Sequence, residues 1–322
     1  MTDVFTSGLS GNGDASNFVS NHNGYAVGVN NNGEALLVPY ADGLGERLVG
    51  HSISLDGDIG VNFYMELDEL IAANLETYMH FTLPSGGNTF EKNVPISEAK
   101  RSGKYYIFKC NVAAKEMDST ITARIISGAQ LGTEYTYSVR DYADYLIDNA
   151  NKQHPEYLRA KPLVEAMLQY GSYAANYFGT ADALSDINAT IPEKDYTATG
   201  IGETLFDGAT LSLKSQTTLS LYFVSEQALT LSMDGKTEGT DYELDHSGSE
   251  YVIRIRNIAA KDLNNDFTVA VTSNGQSGTV TYSPMTYCFK AQTSSNTKLV
   301  NTVKALYQYW TKADQYFNQG GN

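Results

Sequence analysis

The chain has 322 residues, of which 42% are hydrophobic, and a formal net charge of −15, so it is long enough for two domains with separate cores. That charge argues against nucleic acid or an anionic membrane as partner, since both require a basic face. Two cysteines, Cys110 and Cys288, make no disulfide framework and are expected as buried thiols; no apolar run has membrane-spanning length and Met1 opens no export signal, so no membrane insertion is expected.

Residues 1–22 are rich in Gly, Ser and Asn and read as loosely ordered; Gly8, Gly11 and Gly13 follow no strand and open no helix, so they form no dinucleotide site. YAVGV and EALLV flank NNNG, a hairpin signal because Asn and Gly accept positive φ, and residues 1–49 are taken as an N-terminal extension carrying that hairpin. From His51, HSISL, IGVNFYM, YMHFTLP, YYIFKCNVA, TITARII and TEYTY are short strand-like runs punctuated by turns, with NTFEKNV as a polar segment among them. Such a succession predicts an antiparallel sandwich or curled sheet.

Two helices then follow. Ser138 is an N-cap with Asp141 in the first turn, and Val139, Tyr142, Ala143 and Leu146 form one apolar stripe. Pro162 opens the second helix and Gly179 stops it. Its stripes, Val164, Met167, Gly171, Ala174 and Phe178 beside Tyr170, Tyr173 and Tyr177, occupy so much of the circumference that the helix must be covered from two sides, by a sheet and by a partner helix or second domain. Residues 181–202 read as a polar, strandless linker, and from 203 a second set of strands precedes a second helical pair.

The second set repeats the first. ALYQYWTKADQYF from Ala305 lies without a gap over AMLQYGSYAANYF from Ala166, YSPM at Tyr282 over YSVR at Tyr137, YVIRIRNIAAKDL from Tyr251 over YYIFKCNVAAKEM from Tyr105, and TLSLYF from Thr218 over IGVNFY from Ile59. Four blocks in one order indicate a duplication. The fold expected is mostly β with α: two tandem homologous antiparallel sandwich domains, 50–180 and 203–322, each closed by a C-terminal helical hairpin. Within the match Gly171 is answered by Trp310. A bare backbone at 171 admits a neighbouring element closely, and Trp310, in line with Val303, Leu306, Tyr307 and Phe317, is expected in the core.

Motifs for chemistry are few. The histidines at 22, 51, 80, 154 and 246 share no metal-ligand spacing. Asp56-Gly57-Asp58 resembles the start of a calcium loop but has Leu67 at its twelfth position, where a Glu is needed, and reads better as a turn; Asp262 and Asp266 are a similar acidic pair. There is no G-x-S-x-G, P-loop or H-E-x-x-H, and Asp141, Asp144 and Asp148 have structural uses at a helix start and on its polar side. A glycosidase carboxylate pair is defined by separation in space, so composition does not address it. LPSGG at Leu83 lies mid-chain and reads as a strand end and turn rather than a wall-sorting signal. No catalytic residue, metal site or cofactor is assigned, and the sequence names no ligand-binding residue.

GHSISLDGDIGVNFYMEL from Gly50, NVAAKEMDSTITARI from Asn111, YSVRDYADYL from Tyr137 and LVEAMLQYGSYAANYF from Leu163 resemble a repeated module of secreted and cell-surface proteins of gut Firmicutes, including multidomain proteins with dockerins, sortase anchors or Ig-like repeats. Residues 203–319 look like a diverged copy, in which the D-G-D-I-G turn is missing and Thr286 replaces the helix-start Asp. The resemblance implies an extracellular, cell-surface and non-catalytic context, in which the chain is expected to be a monomeric binding or adhesion module whose partner is a host or surface protein or a glycan. A carbohydrate-binding module for plant polysaccharide or starch, and a spacer presenting other domains, are the alternatives.

Overall fold

A computed structural model describes residues 25–29, 35–39, 44–55, 57–182, 184–213 and 216–318. Strands β1 (Tyr25–Val29) and β2 (Ala35–Pro39) pair antiparallel with Tyr25 opposite Pro39, as the hairpin signal predicts. The NNNG turn between them, residues 1–22 and Asp56 lie outside the described residues.

The chain is mixed α and β, with most strands in four four-stranded antiparallel sheets. It divides into two compact units. One comprises the chain to Ser52, Val61–Cys110 and Ser119–Ser138; the other comprises Ile53–Gly60, Asn111–Asp118 and everything from Val139. In the first unit β3 (Arg47–Ser54), β4 (Gly60–Glu66), β8 (Tyr105–Asn111) and β7 (Lys100–Ser102) form one sheet in that order. The facing sheet runs β10 (Gln130–Tyr137), β9 (Ile121–Ser127), β5 (Thr77–Ser85), β6 (Asn88–Pro95). A short helix, α1 (Glu69–Ala73), is capped by the Asp68 side chain accepting from Leu70 N–H. Alternate residues point inward as the strand period requires. Val61, Phe63 and Met65 of β4 and Met79, Phe81 and Leu83 of β5 are buried, and Phe63 meets Phe81 at 5.4 Å between ring centroids. The segment NTFEKNV is strand β6, paired with β5 from Tyr78–Pro95 to Ser85–Asn88. Its sequence reads as polar because an edge strand buries little, here only Val94.

The second unit repeats this order of strands. Sheet β12 (Phe206–Leu213), β13 (Thr217–Val224), β16 (Glu250–Ile255), β15 (Tyr242–Ser247) matches the β3-β4-β8-β7 sheet position by position. Its companion runs β11 (Thr197–Gly200), β18 (Gln276–Tyr282), β17 (Phe267–Ser273), β14 (Thr230–Ser232). Two differences stand out among the described residues: β14 has no counterpart of β6 beside it, and β11 is added at the opposite edge. The segment expected to be strandless until 203 therefore contains a strand, followed by a one-turn helix, α5 (Gly202–Leu205). Gly278 admits this strand, because a Cβ there would lie 2.1 Å from the Thr199 carbonyl oxygen. Further upstream the linker is anchored too: Ile187 and Ile191 are buried, with their N–H groups donated to Asn301 and Gln292 at 3.0 Å.

Four helices belong to this unit beside the one-turn α3 (Pro155–Leu158) and α5. They are α2 (Val139–Asn151), α4 (Lys161–Tyr177), α6 (Pro284–Ala291) and α7 (Thr297–Phe317). The start signals at Ser138 and Pro162 hold, since α2 begins directly after Ser138 and Pro162 lies in the first turn of α4; the structure adds Ser283, whose Oγ accepts from Thr286 N–H at 3.0 Å, and Asn296, which caps α7. α4 is buried on almost every side, as its two stripes require. One cover is α2 with the 3-10 turn Ala114–Glu116, and the other is α7. Within this unit α4 thus finds a turn and helices where a sheet is expected.

Helices α4 and α7 run antiparallel. Thr302 Oγ1 donates to the Tyr173 carbonyl at 3.1 Å, Lys298 Nζ to that of Asn176 at 3.1 Å, and the Arg159 guanidinium lies 4.8 Å over the Tyr316 ring. Midway, Tyr170 stacks on Tyr309 at 5.8 Å and 14°. These two tyrosines occupy the same position in the duplicated sequence, so the pair meets about a local pseudo-two-fold axis, as an isologous contact does. Burial of aromatic and aliphatic side chains here, at about 1.5–3 kcal/mol each, ties α4 to α7. The compact units consequently divide elsewhere than at 181–202, since α2–α4, the linker and the second strand set lie in one unit.

Candidate functional site

The residues singled out in the sequence are dispersed. His51 stacks on Tyr137 at 3.7 Å, His80 shares a 2.7 Å hydrogen bond with Asn93, His154 lies near Tyr157, and His246 stacks on Tyr251. Asp262 bonds Lys261 and Asn265, whereas Asp266 pairs with Lys194 at 3.0 Å. Asp141 stands in the first turn of α2, and Asp144 lies 3.9 Å from Arg140. Among the described residues no three His, Cys, Asp or Glu side chains are grouped to hold a metal ion. Gly57 has φ +80, and Gly86 and Gly87 turn β5 into β6, so both motif-like stretches sit at turns. Cys110 and Cys288 are buried thiols, and burial pushes the Cys288 thiol up to about 12.

Gly171 does what its bare backbone suggests. A Cβ there would lie 2.7 Å from Met117 Sδ and 3.0 Å from the Ala114 carbonyl oxygen, so the 3-10 turn rests directly on α4. Its counterpart Trp310 is only half-buried, not core as expected. The reason is the turn of the helix: Tyr309, one residue earlier, faces α4, which leaves Trp310 against Tyr307 at 5.7 Å with its indole N–H enclosed and without a hydrogen-bond partner among the described residues.

Cavities among the described residues of the second unit include the following three. One of about 30 Å³, lined by Tyr170, Leu306, Tyr309 and Ile258, is sized for a single water molecule and too small for a ligand. A polar cleft of about 330 Å³ is bordered by Met233, Lys236, Asp241, Arg256, Asp262 and Phe267. Its charges are matched: Asp241 accepts from Thr237 N–H at 2.8 Å and pairs with Lys236, contacts that hold its carboxyl below the ordinary range, and Arg256 pairs with Glu243. A cleft so compensated offers little field to a charged ligand.

The third is a groove of about 300 Å³ between β14 and β15, lined by Leu229, Leu231, Leu244, His246, Tyr251 and Val252, with Asp245 at its margin. Leu244 is 37% exposed, which is unusual for an inward position opposite the fully buried Ile253. His246 and Tyr251 are cross-strand partners on either side of the turn at Gly248, with rings stacked at 4.1 Å and 22°. Both are held in place. His246 Nε2 lies 2.6 Å from the Gly248 carbonyl, Tyr251 Oη donates to the Gln227 carbonyl at 3.4 Å, and Arg254 pairs with Asp245 at 3.0 Å. An apolar floor with an anchored aromatic pair accepts apolar side chains or the face of a sugar ring. Sequence reasoning passes over this pair; the available signal is YELDH-SGS-EYVI, whose central Gly sets the register that places His246 opposite Tyr251.

No family model matches the chain, and no curated protein matches it. Among solved structures, the crystal structure of S. aureus TarS is similar at 11% identity and a TM-score of 0.21, over 82% of this chain and 43% of that one. The chain therefore spans less than half of that protein, and a likeness at this level fixes neither fold nor function.

Proposed function

We propose that this chain is a non-catalytic, extracellular binding module of a bacterial cell-surface protein, built from two homologous copies of one strand-and-helix order, and that it engages a host glycoprotein or another protein. The observation that supports the reading is the apolar groove beside β14, where Leu244 stands exposed on an inward position of its sheet. An opening of that kind in one copy, where the other copy has strand β6, is a binding surface rather than a reaction centre: its side chains are apolar or aromatic, and its one carboxylate is paired with Arg254. The surface-protein resemblance supplies the extracellular setting.

A second reading, recognition of a glycan, is favoured by the His246–Tyr251 stack, since anchored rings stack on sugar faces. The immobilised chain and its Leu244→Glu variant, probed in parallel with a glycan array and host secretions, test both. Retention of a protein by the parent chain and not by the variant supports the protein reading, and retention of oligosaccharides supports the glycan reading. Turnover of glycan or peptide substrates would overturn the non-catalytic assignment.

A further inference from the structure

We propose that β14 is an open docking edge for an extended, basic peptide strand, which would pair with it as β6 pairs with β5 in the first unit. This rests on the binding-module reading and assigns it a site and a ligand chemistry.

The chain itself contains the occupied form of the site. Strand β5 is paired on both sides, with β9 through Thr77–Ser127 to Thr82–Thr122 and with β6 through Tyr78–Pro95 to Ser85–Asn88. Its counterpart β14 ends its sheet and, among the described residues, pairs only with β17, through Thr230–Thr272 to Ser232–Ala270. Between β5 and β7 the first copy has strand β6; between their counterparts β14 and β15 the second has the loop 233–241, so among the described residues no strand pairs with that edge. A free edge presents unpaired N–H and C=O groups in register for another strand.

Side-chain chemistry specifies the occupant. Strand β6 brings Val94 opposite Met79, Lys92 opposite Phe81 and Phe90 opposite Leu83, three buried positions of β5, so an added strand is expected to carry apolar residues or the alkyl stem of a Lys at alternate positions. Next to β14 the matching floor is the groove with Leu231, Leu244 and Tyr251. Charge supplies the rest. From Val224 to Val252 the chain carries seven carboxylates and one Lys. Three are paired, Asp241 with Lys236, Glu243 with Arg256 and Asp245 with Arg254, while Glu226, Asp234, Glu238 and Glu250 are exposed and add to the acidic balance of this stretch. A ligand strand that alternates apolar residues with Lys or Arg complements both features, and its association is salt-dependent.

The test uses the full chain and a labelled synthetic peptide of the β6 sequence, NTFEKNVP, with its Glu replaced by Lys. Saturable binding is expected, weakened at least tenfold in Leu244→Glu, weakened by added salt, and abolished when alternate residues of the peptide are N-methylated. Hydrogen exchange should show peptide-induced protection of the Thr230–Ser232 amides, a measurement that needs no variant. Absence of saturable binding, equal binding to Leu244→Glu with unchanged Trp310 emission, or protection only at β15 would overturn the proposal. Capture of a host protein or glycan with no peptide binding would remove the strand-addition site while leaving the binding-module reading intact; if nothing is captured, that reading fails as well.

Discussion

Replacing Gly171 with Ala should destabilise the helical part of the chain, against the ordinary helix preference. In an open helix this change is favourable by about 1 kcal/mol. Here the new Cβ would lie 2.7 Å from Met117 Sδ, 3.3 Å from its Cγ and 3.0 Å from the Ala114 carbonyl oxygen. Met117 is 2% exposed, so its side chain has little room to move, and the carbonyl belongs to the 3-10 turn itself. Overpacking of this kind costs about 1–3 kcal/mol. Setting about 2 against the propensity gain leaves a net loss of about 1 kcal/mol, or roughly 2–4 °C in Tm for a unit of this size. Urea and thermal unfolding followed by Trp310 emission give the value, because the single tryptophan lies on α7 in the same unit as Gly171. Met117→Ala alone should cost about 2–5 kcal/mol by emptying a core site. In that background Gly171→Ala should become neutral or favourable, since most of the obstruction is gone. A stabilising Gly171→Ala in the parent chain, or no coupling with Met117, would refute the close approach of the turn to α4.

Trp310→Ala should cost about 2 kcal/mol rather than the 3–5 of a fully enclosed aromatic, with folded-state emission between buried and exposed limits; a core-like loss measured by urea titration would contradict its half-buried position. Alkaline stability should fall above pH 9. The Cys288 thiol is raised from 9.0 to about 12 by desolvation, so the folded state keeps its proton while the unfolded chain loses it, and its contribution, complete below pH 9, declines by about 1.4 kcal/mol per pH unit up to 12. Tyr170 and Tyr309, both raised by burial, act in the same direction from above pH 10. Cys288→Ala should flatten the first part of that decline in a pH series of urea midpoints. Neither cysteine should react with a thiol reagent before unfolding, and both should afterwards; native reactivity would mean that the burial of Cys110 or Cys288 is transient. A fragment of residues 197–318, lacking α4, should be less stable than the whole chain or associate through α7; a monomeric fragment of undiminished stability would show that the Tyr170–Tyr309 seam contributes little.

Local signals in the sequence carried the helices, the sandwich strands and the order of the duplication. Ser138 and Pro162 mark helix starts because the first-turn N–H groups lack intrahelical partners, which a cap satisfies and a proline does not need. The inward faces of β4 and β5 show as strict alternation because burial on one side of a strand selects every second residue. Gly171 was legible for the same reason, as a gap in an apolar stripe. Three features were settled only by tertiary structure. Strands β6 and β11 look polar because an edge strand is held by backbone pairing, to which side-chain composition is nearly indifferent. The grouping of α2–α4 with the second strand set depends on Tyr170 meeting Tyr309, a contact between matched residues that neither copy encodes alone. The groove at Leu244 lies beside an edge where, among the described residues, no strand takes the place that β6 has in the first copy, and whether such an edge leaves an apolar surface open or covered is decided by how the remaining chain packs over it.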